Sequence, residues 1–114
     1  MNTSSAAEWL QSFARDHDLA ARAERACRAA IASFEPDLDL EERFLKRARS
    51  NLRLRLRAFE LVFDFAFEKS FVCTRIEVFV ADDDEYPPSA NYQLLVDLNG
   101  EEFDDVLVLR PEPI

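Results

Sequence analysis

Glycine is almost missing from this 114-residue chain, which has one, Gly100. Phosphate-cradling loops need several glycines at fixed spacing, so the common nucleotide-binding fingerprints are excluded. Histidine also occurs once, at position 17, and cysteine twice, at 27 and 73. So few ligands, so far apart, make neither a zinc set nor a Cys/His nucleophile pair. Asp16 and Asp18 flank His17, but neighbours one position away point in other directions on a helix, so His17 is read as a surface residue. Both cysteines sit among apolar neighbours and are read as buried free thiols, reduced in a cytosolic setting. No run approaches the ~20 apolar residues that span a bilayer. Met1–Ser5 has no basic segment leading into an apolar core, so no secretory signal is expected. A cytoplasmic protein with no membrane association is the expectation.

Basic residues are scarce in the second half. Residues 1–57 hold 11 Lys/Arg against 9 Asp/Glu, a net of +2, whereas residues 58–114 hold 3 against 14, a net of −11, which together give the chain's −9. The hydrophobic rhythm changes at the same place, from helical spacing to strand alternation. With 48% apolar residues, ten of them Phe, the chain can bury a core, and its length suits one domain. The single domain 1–114 then divides into a helical half at about 5–57 and an antiparallel sheet half at about 58–110.

Ser5-Ala6-Ala7-Glu8 has the form of a capping box. Trp9, Phe13, Ala20, Ala23, Cys27, Ala30 and Phe34 follow it at 4-3 spacing, a narrow alanine-rich seam. Whether residues 6–34 form one helix or two stays open, because Asp18 is placed to start a second. Asp39 begins another capping arrangement, and Leu40, Phe44, Ala48, Leu52 and Leu56 predict a helix over about 40–57. The strictly alternating Leu52–Arg57 run also fits a strand, which would have to shift phase at Ala58; helix is preferred.

From Phe59 the period is two. Phe59, Leu61, Phe63, Phe65 and Phe67 share one face, expected to point inward beneath the helices. A turn at Lys69-Ser70 would pair Phe67 with Val72, Phe63 with Ile76 and Asp64 with Arg75. Asn99-Gly100 is the strongest hairpin signal, since both residues tolerate positive φ. It sets Val96 opposite Phe103, Tyr92 opposite Leu107 and Leu94 opposite Asp105, with Asp97 facing Glu102. Val106–Leu109 is apolar on both faces, so its outer side is expected to meet something else.

These elements predict an α+β fold: two N-terminal helices packed on a four-stranded antiparallel meander. The arrangement resembles that of cystatin-like helix-on-sheet proteins in architecture alone, which carries no function.

For function, the composition points to a small acidic, non-enzymatic protein that binds another protein, in the manner of an inhibitor, an immunity protein or a chaperone. No catalytic residue, metal site or cofactor is assigned. Asp82, Asp83, Asp84, Glu85 and Tyr86 are the candidate partner-binding residues, four carboxylates beside one amphipathic ring. A second copy is also a candidate partner, through the alanine seam and Val106–Leu109. Two alternatives stand: a ligand-binding or enzymatic cavity between helices and sheet holding Asp64 or Glu77, and nucleic-acid binding by the basic helix 43–57. The net charge of −9 weighs against the latter.

Overall fold

The computed structural model describes residues 3–37, 39–80 and 88–109. Three helices, α1 (Thr3–Asp16), α2 (Leu19–Ser33) and α3 (Asp39–Ser50), precede four strands, β1 (Leu52–Asp64), β2 (Lys69–Val80), β3 (Ala90–Asp97) and β4 (Glu102–Leu109). The strands form one antiparallel sheet in the order β1-β2-β3-β4, the meander expected of the sequence. The α+β class stands, with three helices where two were expected.

The first extra boundary falls at His17-Asp18. Asp18 takes a left-handed backbone, φ 54°, and makes no side-chain cap. The chain therefore turns there, and Arg22 ties the elbow by donating from Nη1 to the His17 carbonyl at 3.1 Å. Because α1 begins at Thr3, Ser5 lies inside the helix instead of capping it. The alanine seam is broken by the same turn. Leu19, Ala23, Cys27 and Ile31 form the buried line of α2, while Trp9 and Ala20 are exposed.

The expected helix over 40–57 is wrong beyond Ser50. Leu52–Arg57 is the first half of β1, so the helical part ends at residue 50 and the sheet starts at 52. A helix would put Leu54 opposite Leu52 and Leu56, whereas a strand puts all three on one face. There they lie across from Val80, Val78 and Ile76. The phase shift that argued against a strand is present as a β-bulge between Leu56 and Ala58. It leaves Arg57 unpaired and brings Phe59, Leu61 and Phe63 onto the face the three leucines occupied before it.

The β1–β2 turn also differs from expectation, lying at Phe65–Glu68 and not at Lys69-Ser70. Asp64 sets it: its Oδ1 accepts the backbone N–H groups of Ala66 at 2.9 Å and Phe67 at 3.3 Å, and Glu68 takes φ 50°. Val72 consequently pairs with Leu61, Ile76 with Leu56 and Lys69 with Asp64. The inward row of five is therefore a correction. The segment is extended through Asp64 and its odd residues do face the helix side, but only Phe59 packs against the core. Leu61 and Phe63 are half exposed, and Phe65 and Phe67, 85% and 80% exposed, sit in the turn.

The core is the layer between α1–α3 and the even-numbered residues of β2 and β3. Val72, Ile76, Val78, Val80, Ala90, Tyr92, Leu94 and Val96 meet Phe13, Leu19, Ala23, Cys27, Ile31, Phe44 and Leu45. Each large aliphatic side chain buried this way contributes about 1.5–3 kcal/mol, so a one-residue slip of β2 would forfeit most of the layer. The second hairpin matches expectation at Tyr92–Leu107 and Leu94–Asp105. The Leu94–Asp105 pairing is no mismatch, because Asp105 Oδ2 accepts the Tyr92 hydroxyl at 2.8 Å. Beyond it a second irregularity, between Leu95 and Val96, sets Val96 against Glu102 instead of Phe103.

Candidate interaction surface

All three helices pack on one face of the sheet, because the core cluster takes the even residues of β2 and β3 and none of the odd ones. The odd residues form a second face that no described element covers. Its two halves differ in how they treat their charges.

Toward β1 the charges are closed on one another. Glu77, buried on β2, accepts Arg55 Nε at 3.0 Å and Nη2 at 2.7 Å. The Arg53 and Arg55 guanidiniums lie 5.1 and 5.3 Å from the Phe79 ring centre, a cation–π arrangement at the surface. Arg75 donates from Nε to Glu60 at 2.6 Å, a hydrogen bond that holds the guanidinium above its ordinary pKa. Cys73 is buried beside this pair, and burial raises its thiol.

Toward β4 the face is apolar and open. The bulge turns Phe103 outward, where its ring meets Phe71 edge-on at 5.5 Å and Lys69 Nζ sits 3.7 Å from its centre. Val106 and Val108, opposite Gln93 and Asn91, continue the strip along the sheet edge. Phe103, Val106 and Val108 are 42%, 38% and 54% exposed. Residues 90–109 carry Asp97, Glu101, Glu102, Asp104 and Asp105 and no Lys or Arg; Glu102 pairs with Arg22 at 3.9 Å and Asp105 with Tyr92 on the helix side, and Lys69 lies beside Phe103 on the open face. A cation over an aromatic ring beside an apolar strip, on an acidic segment, is a surface suited to a partner that is itself apolar and basic.

The residues singled out from sequence are dispersed. Asp82, Asp83, Asp84, Glu85 and Tyr86 lie outside the described residues. Cys27 and Cys73 are buried free thiols on opposite sides of the sheet, and burial pushes the Cys27 thiol up to about 12. His17 is half-buried, not superficial: its ring packs 4.4 Å from Phe13 and against Gly100. The basic stripe expected on one helix does not exist as such, since Arg43, Lys46, Arg47 and Arg49 lie on α3 while Arg53, Arg55 and Arg57 lie on β1. Asp64 caps a turn and Glu77 lies on the face away from the helices. Among the described residues, neither lines the open clefts of about 320–400 Å³ between α2 and α3 and along α2 and β4.

Sequence reasoning had one part of the strip, since Val106–Leu109 is apolar on both faces. It missed Phe103, which alternation alone assigns to the core opposite Val96, because nothing in alternation marks a bulge. Phe71 and Lys69 were missed for the same reason as the turn before them. No helix among the described residues is long and apolar enough to cross a membrane. No protein-family model, curated protein or solved structure matches the chain.

Proposed function

We propose that this chain is a small acidic protein-binding protein whose contact surface is the helix-free face of the sheet at its β3–β4 end. The reading rests on the exposed strip of Phe103, Val106 and Val108 within a segment of five carboxylates and no base. The partner is a protein presenting apolar side chains within a basic rim. The carboxylates raise the encounter rate by long-range attraction, and apolar burial then sets the lifetime of the complex. Chemistry plays no part, and a cytoplasmic setting keeps the two buried thiols reduced. Roles of the inhibitor, immunity-protein or chaperone type all fit.

The test compares the full chain with two variants as bait in extract of the native host, followed by rates on the purified partner. Val106→Thr/Val108→Thr keeps strand propensity, removes apolar contact and is expected to lose the captured partner. Glu101→Gln/Glu102→Gln/Asp104→Asn is expected to slow association by roughly tenfold and to flatten its salt dependence, leaving dissociation nearly unchanged. Equal capture by the valine variant, with association indifferent to salt, would remove this surface from consideration.

A further inference from the structure

β1 is an edge strand of 13 residues, and among the described residues no strand pairs with its outer side. A long edge carrying half-exposed leucine and phenylalanine is a template for another strand. The strand is also a charge dipole: Arg53 and Arg55 precede the bulge, Arg57 sits in it, and Glu60 and Asp64 follow it. A strand that is basic in its first half and acidic in its second is complementary to itself when run antiparallel.

We propose that the chain forms a two-fold symmetric dimer by antiparallel β1–β1 pairing, joining two four-stranded sheets into one of eight. The bulge selects the register. Before it the helix-side residues are Leu52, Leu54 and Leu56; after it they are Phe59, Leu61 and Phe63. A two-fold pairing therefore matches faces only if even positions of one copy meet odd positions of the other. Among such registers, the one setting Leu54 across from Phe63 and Leu56 across from Leu61 is also the one that brings two opposite charges together, Arg53 with Asp64 and Arg57 with Glu60. Symmetry repeats each pair. Faces mix only at the axis, between Ala58 and Phe59. The same register lays Phe65 of each copy beside Leu52 of the other, at the mouth of the cleft lined by Arg28, Ile31, Ala48 and Arg49. Phe65, which the monomer leaves in solvent at its hairpin tip, thus acquires an apolar neighbour, and Asp64 a cation from the second copy.

This dimer is isologous, so it closes without extending into a fibre. It leaves the Phe103–Val108 strip free, one on each outer end of the joined sheet, and stands or falls apart from the partner reading above.

Sedimentation equilibrium of the full chain at micromolar concentration is expected to give a dimer. Ala58→Cys, which lies next to its own copy across the axis, is expected to cross-link under mild oxidation, while Val108→Cys on β4 is not. Arg57→Glu sets like charges together on both sides of the axis and is expected to weaken the dimer roughly tenfold with the circular dichroism of the fold unchanged; Arg57→Lys retains it. A monomer at every concentration overturns the proposal. So does a dimer that cross-links through position 108 and not 58.

Discussion

The one glycine offers the sharpest check on how the helices are seated. Gly100 lies in the β3–β4 turn at φ +84°, a region where an L side chain crowds its own carbonyl. A Cβ built there would fall 2.5 Å from His17 Cε1 and 2.8 Å from Cγ, and closer still to Nδ1. His17 cannot simply withdraw, because its ring rests on Phe13 and its carbonyl holds Arg22. Gly100→Ala therefore carries two separable penalties: about 1–2 kcal/mol for the left-handed backbone, and a similar amount for displacing the imidazole from its packed position. We expect about 2–4 kcal/mol in total, read by urea unfolding followed through Trp9 fluorescence. The decisive measurement is a double-mutant cycle. In a His17→Ala background the steric penalty disappears, and Gly100→Ala should cost only the backbone part. Equal costs in the two backgrounds would mean that His17 does not occupy that turn, and that the α1–α2 elbow is seated elsewhere on the sheet.

Two further outcomes follow from buried polar groups. Tyr92 is fully buried; burial first, and then its hydrogen bond to Asp105, raises its hydroxyl above the ordinary value of 10.0. The folded state keeps that proton after the unfolded chain has released it, so the stability Tyr92 contributes is complete below pH 10.0 and declines above it. Tyr92→Phe should cost about 1 kcal/mol at neutral pH and make the alkaline fall in melting temperature shallower; the two buried thiols, Cys27 and Cys73, both raised from the ordinary value of 9.0, contribute to what remains. An unchanged alkaline slope would contradict the assignment. Thr74 Oγ1 is fully buried on the helix side of β2 and has no partner among the described residues. Thr74→Val, nearly isosteric, should therefore stabilise the protein by about 1 kcal/mol in urea unfolding, and a loss of stability would show that the hydroxyl is satisfied.

Sequence pattern was sufficient wherever a single period ran without interruption. The alternation of Val72–Val80 and Ala90–Val96, with the Asn99-Gly100 turn between β3 and β4, located the two central core strands and most of one register. It failed at each place where local backbone chemistry breaks a period. Asp64 takes two backbone N–H groups and closes a turn before Lys69, which puts two phenylalanines of the inward row in solvent. Arg57 is the extra residue of a bulge, so the leucine–arginine run is a strand despite its phase. Phe103 is displaced outward by a second irregularity. Alternation assigns faces correctly on each side of a bulge and says nothing about the residue inside it. The exposed strip was half legible for that reason, through Val106 and Val108 and not through Phe103 or Phe71.

The case for a binding surface on the open face comes from how unequally that face is finished. An antiparallel sheet with helices on one side normally turns polar residues to water on the other. On the β1–β2 half the outward side chains satisfy one another: Glu77 with Arg55, Glu60 with Arg75, and Phe79 beneath two guanidiniums. On the β3–β4 half the outward apolar side chains are Phe71, Phe103, Val106 and Val108, while Glu102 turns to Arg22 and Asp105 to Tyr92 on the helix side. Scattered exposed valines need no explanation, whereas four apolar side chains on one half of an uncovered sheet face invite one. Three of the five acids are engaged within the fold, Glu102 with Arg22, Asp105 with the Tyr92 hydroxyl and Asp97 with turn N–H groups, and the charge of the segment still adds to the chain's −9. A partner with apolar side chains in a basic rim, as proposed above, would bury this strip and meet the acidic charge of the same segment.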